Sequence, residues 1–170
     1  MLRILLAGTA AIFMFSMARA ADCPLADIEK VLNAPLDGMK PIEKEVSDVQ
    51  STEGGGWQIY KDKKGRVHSI IRNDYGESGR GEIRLSILDR KAYGIARTRY
   101  DYIRHAFLEG PFAIAKKSTD YYFFCDGKVY LPAADAAMVD LDRYPKDAAE
   151  AQTATVGSPD VAEFTKGLAK

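Results

Sequence analysis

From Trp57 onward the chain alternates apolar and polar positions with a period of two. Ile83, Leu85 and Ile87 alternate with Glu82, Arg84 and Ser86; Trp57 and Ile59 with Gln58 and Tyr60; Val67, Ser69 and Ile71 with His68, Ile70 and Arg72. One apolar face per strand predicts an antiparallel sheet whose faces differ in character. The longest run, Ala92 to Arg104, puts Ala92, Gly94, Ala96, Thr98, Tyr100 and Tyr102 on one side and Tyr93, Ile95, Arg97, Arg99 and Asp101 on the other. Phe112 to Lys116 and the aromatic run Tyr121 to Phe124 continue the series. Four consecutive aromatics predict a strand buried on both faces or lining a cleft.

Turn residues divide the strands at Gly54 to Gly56, Lys63-Lys64-Gly65, Tyr75 to Gly79 and Asp126-Gly127. No stretch between strands is long enough for parallel crossovers, so the expected topology is a meander of about six to seven strands between Val46 and Leu131. The segment Asp74 to Gly81, with Glu77, Ser78 and Arg80 between glycines, reads as a long hairpin turn. Before the sheet, Leu25, Ile28, Val31 and Leu32 recur at helical spacing. Cys23 and Pro24 suit the helix start, and Asn33, Pro35 and Gly38 its end. After Pro132 the residues Ala133 to Val139 and Ala148 to Ala154 are helix-prone. Thr155 to Pro159 reads as a linker, and Val161, Phe164 and Leu168 fit one side of a last short helix. The fold class is therefore α+β, with a domain over residues 21–145 and a linker with a short helix over 146–170.

The first twenty residues stand apart. Arg3 precedes an apolar run from Ile4 to Phe15, about 12 residues where a spanning helix needs about 20, and Ala18-Arg19-Ala20 offers small residues to a signal peptidase. Cleavage after Ala20 yields an exported, periplasmic or secreted chain with no second apolar run long enough to cross a bilayer. Asp22 stands before Cys23 where lipidation requires a small residue, which speaks against a lipid anchor. In an oxidising compartment the only two cysteines, Cys23 and Cys125, are expected to form a disulfide. They lack the close spacing of a redox or metal pair, and no metal site or cofactor is expected.

Charge changes the picture in one respect. Lys and Arg match Asp and Glu at 24 each over the whole chain, yet Lys61 to Lys117 holds 14 basic and 7 acidic residues. Such asymmetry can steer an anionic ligand or acidic partner to one face. Nucleic acid is not an expected partner for an exported, mildly acidic mature chain. Arg84, Arg97 and Arg99 with Tyr93, Tyr100, Tyr102 and Tyr121 form an expected binding set, because Arg and Tyr dominate protein interfaces and grip anionic groups. An enzyme reading would use His68 or His105 as base and Glu82 as a nearby carboxylate, with arginines stabilising developing charge. No nucleophile elbow, phosphate loop or zinc-binding His pair accompanies them. The expected function is a non-enzymatic binding or inhibitor-type protein acting on a protein or an anionic envelope ligand. A small secreted hydrolase and a structural envelope protein are the alternatives.

Overall fold

The computed structural model describes residues 23–48, 53–104, 113–132 and 140–169. The expected leader and cleavage point, His105 and the Ala133 to Val139 helix expectation lie outside them. Helix α1 (Leu25–Leu32) is followed by strands β1 (Ile42–Glu45), β2 (Gly55–Lys61), β3 (Val67–Gly76), β4 (Gly79–Ile87), β5 (Ala92–Tyr102), β6 (Ile114–Cys125) and β7 (Lys128–Tyr130). Helix α2 (Tyr144–Thr155), a 3-10 turn (Pro159–Val161) and the short α3 (Ala162–Thr165) complete the chain. The seven strands form one antiparallel sheet in the order β1-β2-β3-β4-β5-β6-β7, the meander expected from the short turns.

Each face of the sheet has its own core, as the alternation requires. On one face Trp57, Ile59, Ile70, Leu85, Tyr93, Ile95 and Phe124 pack against Tyr144, Ala148, Ala151, Val156 and Val161 of α2 and the tail. On the other, Gly94, Ala96, Phe123 and Cys125 receive Ile28 and Leu32 of α1. The Cys23–Cys125 disulfide ties the start of α1 to the end of β6, across a sequence separation of 102 residues. Closing so long a loop restricts the unfolded chain and stabilises the fold by about 4–5 kcal/mol in the chain-entropy account.

Several boundaries differ from expectation. Pro24, not Cys23, is the N-cap of α1, and no side chain caps it. A strand, β1, precedes Val46; it has only four residues and takes its conformation from pairing with β2. Ile114 to Lys116 and the aromatic run belong to one continuous 12-residue strand, because β5 offers a partner along its whole length; Phe112 lies outside the described residues. The segment Asp74 to Gly81 is no long loop: β3 and β4 pair to Gly76 and Gly79, leaving only Glu77 and Ser78 at the turn. The tail is no linker, since a break at residue 145 would fall inside α2, and Val156, Val161 and Thr165 are all buried. The Tyr93 hydroxyl donates to the Ala169 carbonyl at 2.8 Å and holds the tail to its end.

Candidate functional site

The strands β3 to β5 run beyond the reach of α2, and a groove of about 930 Å³ opens between their exposed face and the turn that follows the helix. Its floor follows from the period of the strands. On β4, Gly79, Gly81 and Ile83 occupy alternate positions on the α2 side, so the first two put no side chain over the floor. A Cβ added at Gly81 would meet nothing within 4 Å. Arg97 and Arg99 of β5 lie beside these glycines in register, Gly81 opposite Arg99 and Ile83 opposite Arg97. Glu150 and Thr153 of α2, with Ser158 and Pro159, form the facing wall.

That wall is fixed to the sheet. Asp160, next in sequence, accepts hydrogen bonds from the Ser47 amide at 2.9 Å and the Trp57 indole at 3.1 Å. The bonds from Ser47, with help from Trp57 and the Arg72 charge, hold its carboxyl below the usual carboxylate range. At the groove's end Arg72, only 3 % exposed, stacks on Trp57 at 5.5 Å. It grips Asp74 with two bonds of 2.8 and 3.0 Å and reaches Asp48 at 3.0 Å. A buried guanidinium persists only with such partners.

The remaining cations are also answered. Arg97 lies 3.2 Å from Glu150 across the groove, and Arg99 lies 3.1 Å from Asp101 on its own strand. Both are still open to solvent, with side-chain exposures of 43 % and 80 %. The groove therefore presents ordered charges of both signs, not a basic cradle. Among the described residues no cluster of three or more His, Cys, Asp or Glu is arranged to hold a metal ion.

The expected binding set is split by the sheet. Arg97 and Arg99 face the groove; Arg84, Tyr100, Tyr102 and Tyr121 belong to the α1 side. Arg84 donates to the Ala34 carbonyl at 2.6 Å and to Ser86, so it secures the segment after α1. Burial depresses its pKa. Tyr93 has no exposed surface; it stacks on Phe124 at 4.9 Å and accepts a bond from Gln152. Tyr100 is only 8 % exposed, with Arg80 at 4.3 Å and Lys117 at 5.4 Å over its ring. Tyr121 packs under α1. Of the enzyme candidates, His68 and Glu82 lie among the described residues and His105 does not. His68 is the extra residue of a β-bulge, where Lys61 pairs with Val67 and Tyr60 with Ser69. It thus departs from the simple alternation that would set it beside Ile70. Burial, and after it the Arg84 charge, lower its pKa. Glu82 alternates with Gly81 and Ile83, and among the described residues no histidine lines the groove.

Arg72, Gly79, Gly81 and Glu150 are site residues that the sequence reading did not single out. The Gly-x-Gly pair at strand spacing was the available signal, since it removes side chains from one face only. Glu150 carries no local signal, because its role arises from where α2 docks. No protein-family model, curated protein or solved structure matches the chain.

Proposed function

We propose that the chain is exported and acts in the periplasm or outside the cell as a non-enzymatic binding protein. Its groove would take an exposed, extended segment of a protein partner. The observation that carries this reading is the side-chain-free floor at Gly79 and Gly81, flanked by Arg97 and Arg99 and walled by Glu150. A flat ligand can lie on such a floor, and arginines with carboxylates beside them suit a chain that offers donors, acceptors and both charges. A free anion would have to compete with Asp101, Glu150 and Asp74, which already occupy the guanidinium groups. That favours the protein over the anionic envelope ligand. The leader's pattern and the Cys23–Cys125 disulfide support the exported location.

The test is affinity capture from an envelope extract with the mature chain, read by mass spectrometry and followed by titration of the purified partner. Gly81→Phe fills the floor where there is open space, and Arg97→Glu reverses a charge flanking it; both are expected to abolish capture while keeping the native circular dichroism. Tyr102→Ala, on the opposite face, is expected to leave it intact. Equal capture by wild type and Gly81→Phe would exclude the groove. Export is checked separately, by an intact mass that begins at Ala21 in the periplasmic fraction or the medium.

A further inference from the structure

The last two strands of the sheet differ greatly in length. β6 has 12 residues, whereas β7 has three and pairs only with Phe123, Phe124 and Cys125. Among the described residues no strand lies along the outer edge of Ile114 to Tyr122. The direction of the backbone groups there follows from the β6–β7 hairpin. Cys125 and Lys128 flank the two-residue turn Asp126-Gly127, both of whose φ angles are positive (48° and 76°), so Cys125 points its N–H and C=O toward β7. Alternation then turns Phe123, Tyr121, Thr119 and Lys117 outward as well. The Tyr121 carbonyl accordingly lies 2.9 Å from the Tyr144 hydroxyl, which comes from outside the sheet. Lys117 and Thr119 present the next outward backbone groups along the edge.

We infer that this edge pairs antiparallel with the same edge of a second copy of the chain, about a two-fold axis at Ser118. Charge selects the occupant and the register. An axis at Ser118 sets Lys117 opposite Thr119, both outward-pointing, and Lys116 opposite Asp120. An axis at Lys117 would oppose two lysines directly, and one at Asp120 two aspartates; one at Thr119 would oppose Asp120 to Ser118 and leave the opposite charges unmatched. Within each copy, Asp120 already faces Arg97 and Lys116 faces Asp101. The paired edges would therefore make a row Arg97, Asp120, then Lys116 and Asp101 of the second copy, alternating in sign across four strands, with its symmetry mate beside it. Opposite charges directly across a strand pair are favourable and like charges are not. Lysines on an open edge ordinarily deter pairing. Here Asp120, at the same distance from Ser118 as Lys116, converts one of them into a specific contact.

The experiment is sedimentation of the mature, disulfide-intact chain from micromolar to millimolar concentration, since an edge contact without a large apolar patch gives a modest dimer. Wild type is expected to dimerise. Lys116→Asp and Asp120→Lys, each at an exposed position, are each expected to weaken self-association at least about tenfold. Mixed together, they are expected to associate with each other, because every opposed pair regains opposite signs. Lys117→Pro removes one outward N–H and is expected to give monomer with the fold kept. A monomeric wild type over the whole range, single variants that still dimerise, or a mixture that stays monomeric would each overturn the proposal. Preferential binding of an acidic extended peptide by a monomeric wild type would assign the edge to another occupant and overturn it equally. Loss of the groove's partner leaves this experiment unaffected, since Gly81 and the edge are distinct.

Discussion

Two glycines in this sheet occupy ordinary strand backbone, and the space around them predicts opposite responses to the same substitution. Neither has a positive φ, so a side chain is limited by its neighbours alone. At Gly94, an added Cβ would lie 2.9 Å from Cγ2 of Ile28 and 3.1 Å from Cδ2 of Leu32. Favourable carbon contacts lie near 3.5–4.0 Å, so α1 must lift by several tenths of an ångström. It cannot shift freely, because Cys23 holds its start to Cys125 with the Cα atoms 5.8 Å apart, and Ile28 and Leu32 are 0 % and 2 % exposed. Overpacking of this kind costs about 1–3 kcal/mol, against about 0.5–1 kcal/mol gained by removing a strand glycine. Gly94→Ala is therefore expected to destabilise by about 1–2 kcal/mol. Gly81→Ala, with nothing within 4 Å of its Cβ, should gain about 0.5–1 kcal/mol. Urea unfolding followed by fluorescence of Trp57, the only tryptophan, measures both. In a Cys23→Ser, Cys125→Ser background the Gly94→Ala penalty should shrink, because the helix is then free to tilt. A Gly94→Ala protein as stable as wild type, or a penalty unchanged without the disulfide, would refute this account of how α1 is seated.

The other predictions concern covalent, ionic and proton-linked stability. The Cys23→Ser, Cys125→Ser protein is expected to lose about 4–5 kcal/mol, given the separation of 102 residues; a loss below about 1 kcal/mol in the same urea assay would show that the loop is already restricted in the unfolded chain. Arg72→Met should cost about 2–4 kcal/mol, because Asp74, 23 % exposed, loses its bidentate partner. Adding Asp74→Asn should recover part of that, and no recovery would mean that the Trp57 packing carries the loss. His68 titrates below its ordinary range because of burial and then the Arg84 charge, partly offset by Asp62. Folded chains thus bind this proton less readily than unfolded ones. Its stabilisation is full above about pH 6.5 and fades as pH falls through the lower folded-state pKa. Urea midpoints compared at pH 7.5 and pH 5 for wild type and His68→Gln should expose that decline, and an identical decline in both proteins would exclude His68 as its source.

Much of the fold was legible because burial on a sheet face leaves a mark at every second residue. Glu82 to Ile87 and Ala92 to Tyr102 kept that mark unbroken, and both are strands over those stretches. Where the mark failed, a partner supplied what the local sequence lacked. Lys116 to Asp120 is a polar run that resembles a break, yet β5 pairs with it residue by residue. The Ile42–Glu45 strand is mostly exposed and polar, and only β2 makes it a strand. Helix α2 buries Ala148, Ala151 and Thr155 beside Tyr144, residues too small or polar to give a strong helical stripe. Arg97 and Arg99 were legible as binding candidates from composition. Their separation from Tyr100 and Tyr102 was already implicit in the alternation of β5, whereas the wall that turns one side into a groove depends on the docking of the tail.

The same overhang of long strands explains why the two faces differ in what they can offer a ligand. An eight-residue helix such as α1 covers at most about 12 Å, while the 11 residues of β5 extend about 37 Å, so about two thirds of the strand projects past its cover. On the α1 side the projecting residues seal themselves. Thr98 and Thr119 bond to each other at 3.0 Å, and Arg80 and Lys117 close over Tyr100 until it is 8 % exposed. On the α2 side Gly79 and Gly81 have nothing with which to seal the floor, and the wall of Glu150 and Ser158 stands off from it. A ligand reaching the tyrosine side must first break contacts worth about 0.5–1 kcal/mol for each exposed cation–ring pair, with little freed surface in return. One reaching the glycine side meets a backbone already open and arginines already oriented by their carboxylates. The aromatic side therefore stabilises the overhang, and the plainer glycine side is the one left open for the recognition proposed above.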